Sequence, residues 1–492
     1  MKNLRRTLLL PLSALALLTG CAAVGPDYSP PVARHPAGFG QPAAGLSAGN
    51  VELAWWRLFD DPALTDLVQR ALAANHDVGI AVARVDEARA LLREQRQDFL
   101  PRAGAALSYE TRRLGEAEKL AAQPRNTQTY RGAIDSTWEI DLFGHVRRSI
   151  EAAQALAGSR EALLRGVQAG VAAEVAATWL ELRGLDAELK MVAEISHSQR
   201  ESLVLVKKQM SAGAASEFDR LRAEALLRNV EAATPELERR RAAAVNALAT
   251  LLGEMPQTFR PPSAEWGSQP PVLRTIAVGT PGALLARRAD IVAAERELAA
   301  ATAMIGVETA ALYPRIEARG SIGLVAGNLD ALTGAGAFSG VISPVIRWAF
   351  LDIGRVRARI AASEARTQQA LLIYERTVLS ALRETDDAFK TYAEAVSTLD
   401  LRLLEAAANR EAARLAQTRF AAGEGIYLEV LEAERADFAS RRALTQAGTR
   451  QRLAVVGIYK ALGGGWETCA AAKNDCRGAT GSFMTAKIGD EP

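Results

Sequence analysis

Beyond its N-terminal segment the sequence has no run of 18 or more apolar residues, so it has no transmembrane helix. If the chain crosses a bilayer it must do so with β-strands, because in lipid every backbone polar group has to be satisfied internally. Histidine and cysteine are scarce, at four and three residues. The four His are scattered, and no His/Cys cluster has metal-ligand spacing. Cys469 and Cys476 lie in a polar tail and, in an exported protein, could form a disulfide or remain free thiols. An excess of one charge sign is lacking too: 59 Lys and Arg face 57 Asp and Glu, which gives no hint of a nucleic-acid partner. No nucleophile–base pair, phosphate loop or metal box appears, so nothing supports enzymatic chemistry or a cofactor.

The most informative absence is local. From Arg355 to Ala422, about 68 residues, there is no Gly or Pro, while Gly354 precedes the stretch and Gly423 ends it. Helix interiors exclude those residues, and Gly commonly closes helices. Within the stretch Val378, Leu382, Thr385, Phe389, Tyr392, Val396, Leu399, Leu403 and Ala406 fall at alternating steps of four and three, a narrow coiled-coil-like seam. Continuous helix at ~1.5 Å per residue would reach roughly 100 Å. Taken alone, the segment fits a dimeric or cytoskeletal coiled coil equally well.

The N-terminus reads as an export signal: Lys2, Arg5 and Arg6, then an apolar core from Leu8 to Leu18, too short to span a bilayer well. It ends in Leu18-Thr19-Gly20-Cys21, which resembles a bacterial lipoprotein box, with lipid placed on Cys21 and cleavage before it. Two or more acyl chains make a stable anchor. Ala22, rather than Asp, after the Cys implies sorting to the outer membrane. Removing residues 1–20 takes away three bases and no acids, leaving 56 − 57 = −1.

Taken in order, the chain divides into a signal (1–20), a Pro/Gly/Ala/Ser-rich lipid-anchored tether (21–50), a first repeat (51–253), a Pro-rich linker (254–281), a second repeat (282–466) and a polar tail (467–492). The first repeat opens with Trp55-Trp56 and a helix start at Asp61-Pro62. A second helix follows Asn75 and ends before Pro101. Alternation then predicts strands over about 101–112 and 128–139. A long helix over about His145–Ala212 ends at Gly213, and a returning helix is expected from about Ser216 to Leu252. The programme recurs. Phe99-Leu100-Pro101-Arg102 matches Leu312-Tyr313-Pro314-Arg315 at an offset of 213, and Trp138, Gly144 and Gly213 match Trp348, Gly354 and Gly423 at 210. The second strand pair is expected at 314–326 and 337–348, with loops near 113–127 and 327–336 outside the cell. Hairpins at two equivalent places argue against a simple coiled coil.

Two hairpins give four strands per chain, too few to close a barrel alone, since known barrels need at least about eight. Open edges are forbidden in lipid, so several chains must combine. Helices of ~100 Å cannot lie within a ~30 Å bilayer core. They must project into aqueous space, where narrow seams and many Ala residues permit packing into a tube.

These residues resemble the outer-membrane factor family, the TolC-like exit ducts, in its lipoprotein, NodT-type branch. The motifs are Trp55-Trp56 with Asp61-Pro62 and Leu64, then Trp138-Glu139-Ile140-Asp141-Leu142-Phe143-Gly144, Leu284-Leu285-Ala286-Arg287-Arg288-Ala289-Asp290-Ile291 and Ala311-Leu312-Tyr313-Pro314-Arg315. Leu428-Glu429-Val430-Leu431-Glu432-Ala433 and Tyr459-Lys460-Ala461-Leu462-Gly463-Gly464-Gly465-Trp466 complete the set. Phe420 and Ala289 depart from it, standing where the family often has Tyr and Pro.

The resemblance implies a mainly α fold with a transmembrane β-barrel: a homotrimer whose long helical periplasmic tube joins a barrel of twelve strands, four per chain. It implies a periplasmic adaptor and an inner-membrane pump, most often of the RND class, as partners in the outward passage of small toxic compounds. The exit duct of a type I protein-secretion system is the alternative on the same fold; an adaptor-like coiled-coil lipoprotein is the alternative from another class. The resemblance also implies a periplasmic gate at Leu428, Glu429 and Glu432. The two carboxylates, three residues apart after a helix turn, share one helix face. Acidic residues in a first helical turn also simply suit the helix dipole, and Arg435 could neutralise Glu432. Adaptor contact is expected at the turns, Gly213 and Ala214 with Gly423 and Glu424.

Overall fold

A computed structural model describes residues 23–32, 36, 38, 45–47, 49, 52, 54–118, 124–262, 271–273 and 275–464. Cys21, Cys469 and Cys476, with the signal and the polar tail, lie outside the described residues. The described residues fall into two compact units, one drawn from 1–32, 84–161 and 293–375, the other from 33–83, 162–292 and 376–492.

The first unit holds a four-stranded antiparallel sheet of β1 (Arg102–Arg113), β2 (Asn126–Ile140), β3 (Arg315–Ala326) and β4 (Phe338–Arg347), in that order. The middle pairing joins the two repeats, with Ile134 opposite Ile322 and Ile140 opposite Ile316. Period two puts Leu107, Tyr109, Ile134, Trp138, Ile322 and Ile342 on one face, where all are exposed. The other face carries Arg131 paired with Asp135 at 2.6 Å, and Arg319 and Arg347 both paired with Glu317. A bare apolar face opposite an ion-paired polar face is the pattern of a barrel wall between lipid and water. At equivalent places in the two repeats the Trp138 and Trp348 indoles donate 2.9 Å hydrogen bonds to the carbonyls of Phe99 and Leu312. Each bond ties a strand to the chain just past the end of a preceding helix.

The second unit is helical and holds the apolar core. Pro62–Ala74 (α1) is capped by Asp61, whose Oδ1 accepts from Leu64 N while its Oδ2 accepts from the Trp179 indole at 2.7 Å. Trp55 is fully buried and stacks on Tyr459 with centroids 5.3 Å apart. His76–Gln97 (α2) follows, and the longest helices are α3 (His145–Ser211) and, in the second repeat, Ile353–Ala421, of 67 and 69 residues; each of these three has residues in both units. The expected helix from Ser216 to Leu252 is two helices, α4 (Glu217–Glu231) and α5 (Ala233–Leu251), broken at Ala232. Pro235 is the reason: it has no N–H for the carbonyl of Glu231, and its ring would clash there. Pro281–Arg287 (α6), Ala289–Ala310 (α7), Ile353–Ala421 (α8) and Tyr427–Ala461 (α9) complete the chain. Along α8 the seam residues Val378, Thr385, Phe389, Tyr392, Leu399 and Ala406 are buried, whereas Leu403 is exposed. Among the described residues no helix is long and apolar enough to cross a membrane.

Ile322 sits mid-strand on the apolar face and is 54% exposed. Ile322→Arg should destabilise the inserted barrel by about 2–4 kcal/mol if it meets mid-bilayer lipid. Folding titrations into lipid vesicles measure this; insertion equal to wild type would mean that the face does not meet lipid.

Candidate functional site

The two long helices end alike. At the end of α3, Gly213 N donates to Met210 O and Ala214 N to Gln209 O; at the end of α8, Gly423 N donates to Phe420 O and Glu424 N to Arg419 O. These are Schellman closures, which need a left-handed residue. Gly213 and Gly423 supply it with φ of 76° and 78°. Nothing lies within 4 Å of where a Cβ would stand at either, so backbone conformation and not crowding demands glycine.

The returning helices begin differently. Ser216 and Asp219 form a reciprocal capping box on α4, and Arg220 reaches both Glu217 and Glu224. Ile426 stands at the cap of α9 and offers no side-chain acceptor. A missing cap costs typically about 1 kcal/mol. In exchange Tyr427 is buried, its ring 5.4 Å from that of Phe420 and its hydroxyl without a hydrogen-bond partner among the described residues. Burial, with the carboxylates of Glu434 and Asp219 nearby, pushes the Tyr427 phenol above its usual range.

Helical spacing then divides α9 into two sides. Tyr427, Val430, Leu431 and Glu434 are buried, while Leu428, Glu429 and Glu432 are exposed. Glu429 lies 3.4 Å from Arg419 and Glu432 3.2 Å from Arg435. Arg435 was foreseeable from its spacing; Arg419, on the preceding helix, was not. Both pairs are solvent-exposed and so worth only about 0–1 kcal/mol. Counting Glu424, Glu429 and Glu432 against Arg419 and Arg435 gives −3 + 2 = −1 at this turn of each chain.

Glu434, which the sequence analysis did not single out, is a buried carboxylate joining three helices. Its Oε1 accepts from Ser202 Oγ at 3.0 Å and Gln417 Nε2 at 2.7 Å, and its Oε2 from Gln199 Nε2 at 3.1 Å. The available signal was its phase: it falls seven residues after Tyr427, on the same buried stripe. The bonds tie the start of α9 to α3 and α8 and so fix which side α9 exposes.

Paired hairpins with one lipid-like face, and paired helical turns with an exposed acidic start, define a class: outer-membrane channels with a helical duct. The family model for outer membrane efflux protein matches the chain over residues 67–254 and again over 280–464, and the chain belongs to that family. It is 32% identical to outer membrane protein OprJ of Pseudomonas aeruginosa over 92% of this chain and 95% of that one. To toluene efflux pump outer membrane protein TtgI of Pseudomonas putida it is 33% identical, over 93% and 98%. Nodulation protein T of Rhizobium leguminosarum bv. trifolii is 28% identical over 93% and 97%, in keeping with the NodT-type branch. The solved outer-membrane channel OprN superposes with a TM-score of 0.84 at 35% identity, covering 91% of this chain and all of that one. The protein is therefore an outer-membrane exit duct of an efflux system, mainly α with a transmembrane β-barrel, in a fold whose solved examples are trimeric channels.

Replacing Glu434 with Ala strips the buried Gln199 amide, and the more accessible Ser202 and Gln417 donors, of their acceptor and should destabilise the helical region by about 1–3 kcal/mol. Glu434→Gln keeps one acceptor oxygen and should lose less. Denaturant titrations of the two variants decide it; equal stability of Glu434→Ala and wild type would mean that the clamp contributes nothing.

Proposed function

We propose that the chain carries small toxic compounds across the outer membrane from a periplasmic adaptor and an inner-membrane pump of the RND class, and that Leu428, Glu429 and Glu432 form its periplasmic gate. The observation that carries the gate is the exposed side of α9, where these three residues stand together while Glu434 holds the opposite side. In a trimer each occurs three times around the axis, and acidic rings concentrate cations and repel anions. The names of the relatives, toluene efflux among them, support the substrate class. Gly213 and Ala214 with Gly423 and Glu424 form the adaptor contact, a reading that rests on their place at the turns. Cys21 carries the lipid anchor, a reading that rests on its sequence box.

Arg419 and Arg435 sharpen the test. Single-channel recording in planar bilayers should show cation selectivity falling in Glu429→Gln/Glu432→Gln, with a leakier closed state, and rising in Arg419→Gln/Arg435→Gln. Unchanged selectivity in both would place the gate elsewhere. Gly423→Trp should leave trimers intact and abolish drug efflux in cells lacking the wild-type gene; full resistance would count against the adaptor contact.

A further inference from the structure

The segment after Cys21 reads by composition as an extended tether, and its first described residues are seated in a built site. Val24 N donates to Phe143 O at 3.1 Å. Arg148, whose side chain is only 5% exposed, donates to the carbonyls of Val24 and Gly25 at 3.1 and 3.3 Å and to Asp27 at 2.7 Å, besides Glu151 at 2.8 Å. The Tyr28 hydroxyl donates to Glu295 on α7 at 2.5 Å. A buried guanidinium is costly unless paired and hydrogen-bonded, and here most of its acceptors come from this one segment.

Three glycines make room for it. A Cβ on Gly25 would stand 2.4 Å from the Gly306 Cα, and one on Gly144 2.5 Å from the Ala23 Cβ. Gly25 and Gly144 also have left-handed φ of 90° and 85°. Gly306 has no such excuse. It sits inside α7, where glycine is normally unfavourable relative to alanine. A Cβ there would stand 2.7 Å from Arg148 Cγ. The glycine is explained if helix propensity is given up so that the segment and Arg148 can lie against the helix.

We propose that residues 23–28 are a strap whose seat on Gly144, Arg148 and Gly306 fastens the mature N-terminus to the foot of the hairpins and is required for a heat-stable channel. The strap joins the β2–α3 corner to α7, and so one repeat to the other. Given the lipid on Cys21 proposed above, the strap also fixes where the acyl chains enter the membrane, because two residues span at most roughly 7 Å.

A double-mutant cycle tests it. In one chain residues 24–28 are replaced by a Gly/Ser pentapeptide, with Cys21 to Ala23 kept. Gly306→Ala is made in both this chain and the wild type. Trimer dissociation is followed on gels against temperature, and palmitate labelling is followed in parallel. The strap-replaced chain should keep the label and lose its trimers about 10 °C or more below wild type. Gly306→Ala should lower that temperature in the wild-type chain, against its helix propensity, and lower it no further in the replaced chain. Equal heat stability of replaced and wild-type chains, or the same Gly306→Ala loss in both, would overturn the proposal. Cys21→Ser keeps the strap, so loss of label there with trimers intact supports strap and anchor as separate elements. A label that persists in Cys21→Ser defeats the anchor and leaves the strap result standing.

Discussion

In lipid a strand edge cannot be left open, because each unpaired N–H and C=O lacks water to replace its partner. The sheet of this chain has four strands and two bare edges, β1 and β4. β1 leaves the foot of the sheet and β4 returns to it, so a neighbour's β4 meets β1 antiparallel, as every other pair in the sheet does. Three chains of four strands then give twelve, enough to close a barrel. Oligomerisation follows from the backbone before any side-chain contact is considered. The internal repeat has the same origin. Each repeat supplies one hairpin, and β2–β3 pairing makes the two hairpins one sheet.

The helical unit solves a different problem. Its seams are narrow and rich in alanine, so apolar packing alone specifies helix rotation weakly. Polar groups placed inside supply what packing lacks. Glu434 collects three donors from two helices, and Asp186 takes Arg241 at 2.7 Å. Buried polar groups can fix register, as in coiled coils that set their alignment with one polar residue. At the turn of α9 this rotational lock meets an uncapped helix start. The residues proposed as the gate stand where the helix is least held by its own cap and most held by a neighbour.

Much of this was legible in the sequence because it depends on local periods. Strands betray themselves by alternation, as at Ile316, Ala318, Gly320, Ile322 and Leu324, and their ends fell within two residues of expectation. The helix turns were legible because Gly213 and Gly423 are needed for a left-handed residue. Three things were not legible in that way. The break at Ala232 follows from Pro235, a local effect that leaves the apolar period unchanged. Arg419 beside Glu429 depends on how one helix returns past another, which no period encodes. The strap was not legible for a related reason. Pro, Gly and Ala in residues 22–50 describe a chain with no structure of its own, but say nothing about a site elsewhere that receives it. The only trace was Gly306, an unexplained glycine inside a helix.

A barrel shared among chains requires closure at the two bare edges, and disulfide scanning of those edges measures it directly. Single cysteines at Gly104, Ala106 or Ser108 on β1 would be paired in turn with single cysteines at Ser339, Val341 or Ser343 on β4, in a chain whose Cys469 and Cys476 are replaced by Ser. After oxidation in outer membranes, non-reducing gels should show a covalent dimer and trimer ladder for one register of pairs and none for the others. A scan in which no pair links one chain to another would contradict a barrel shared among chains.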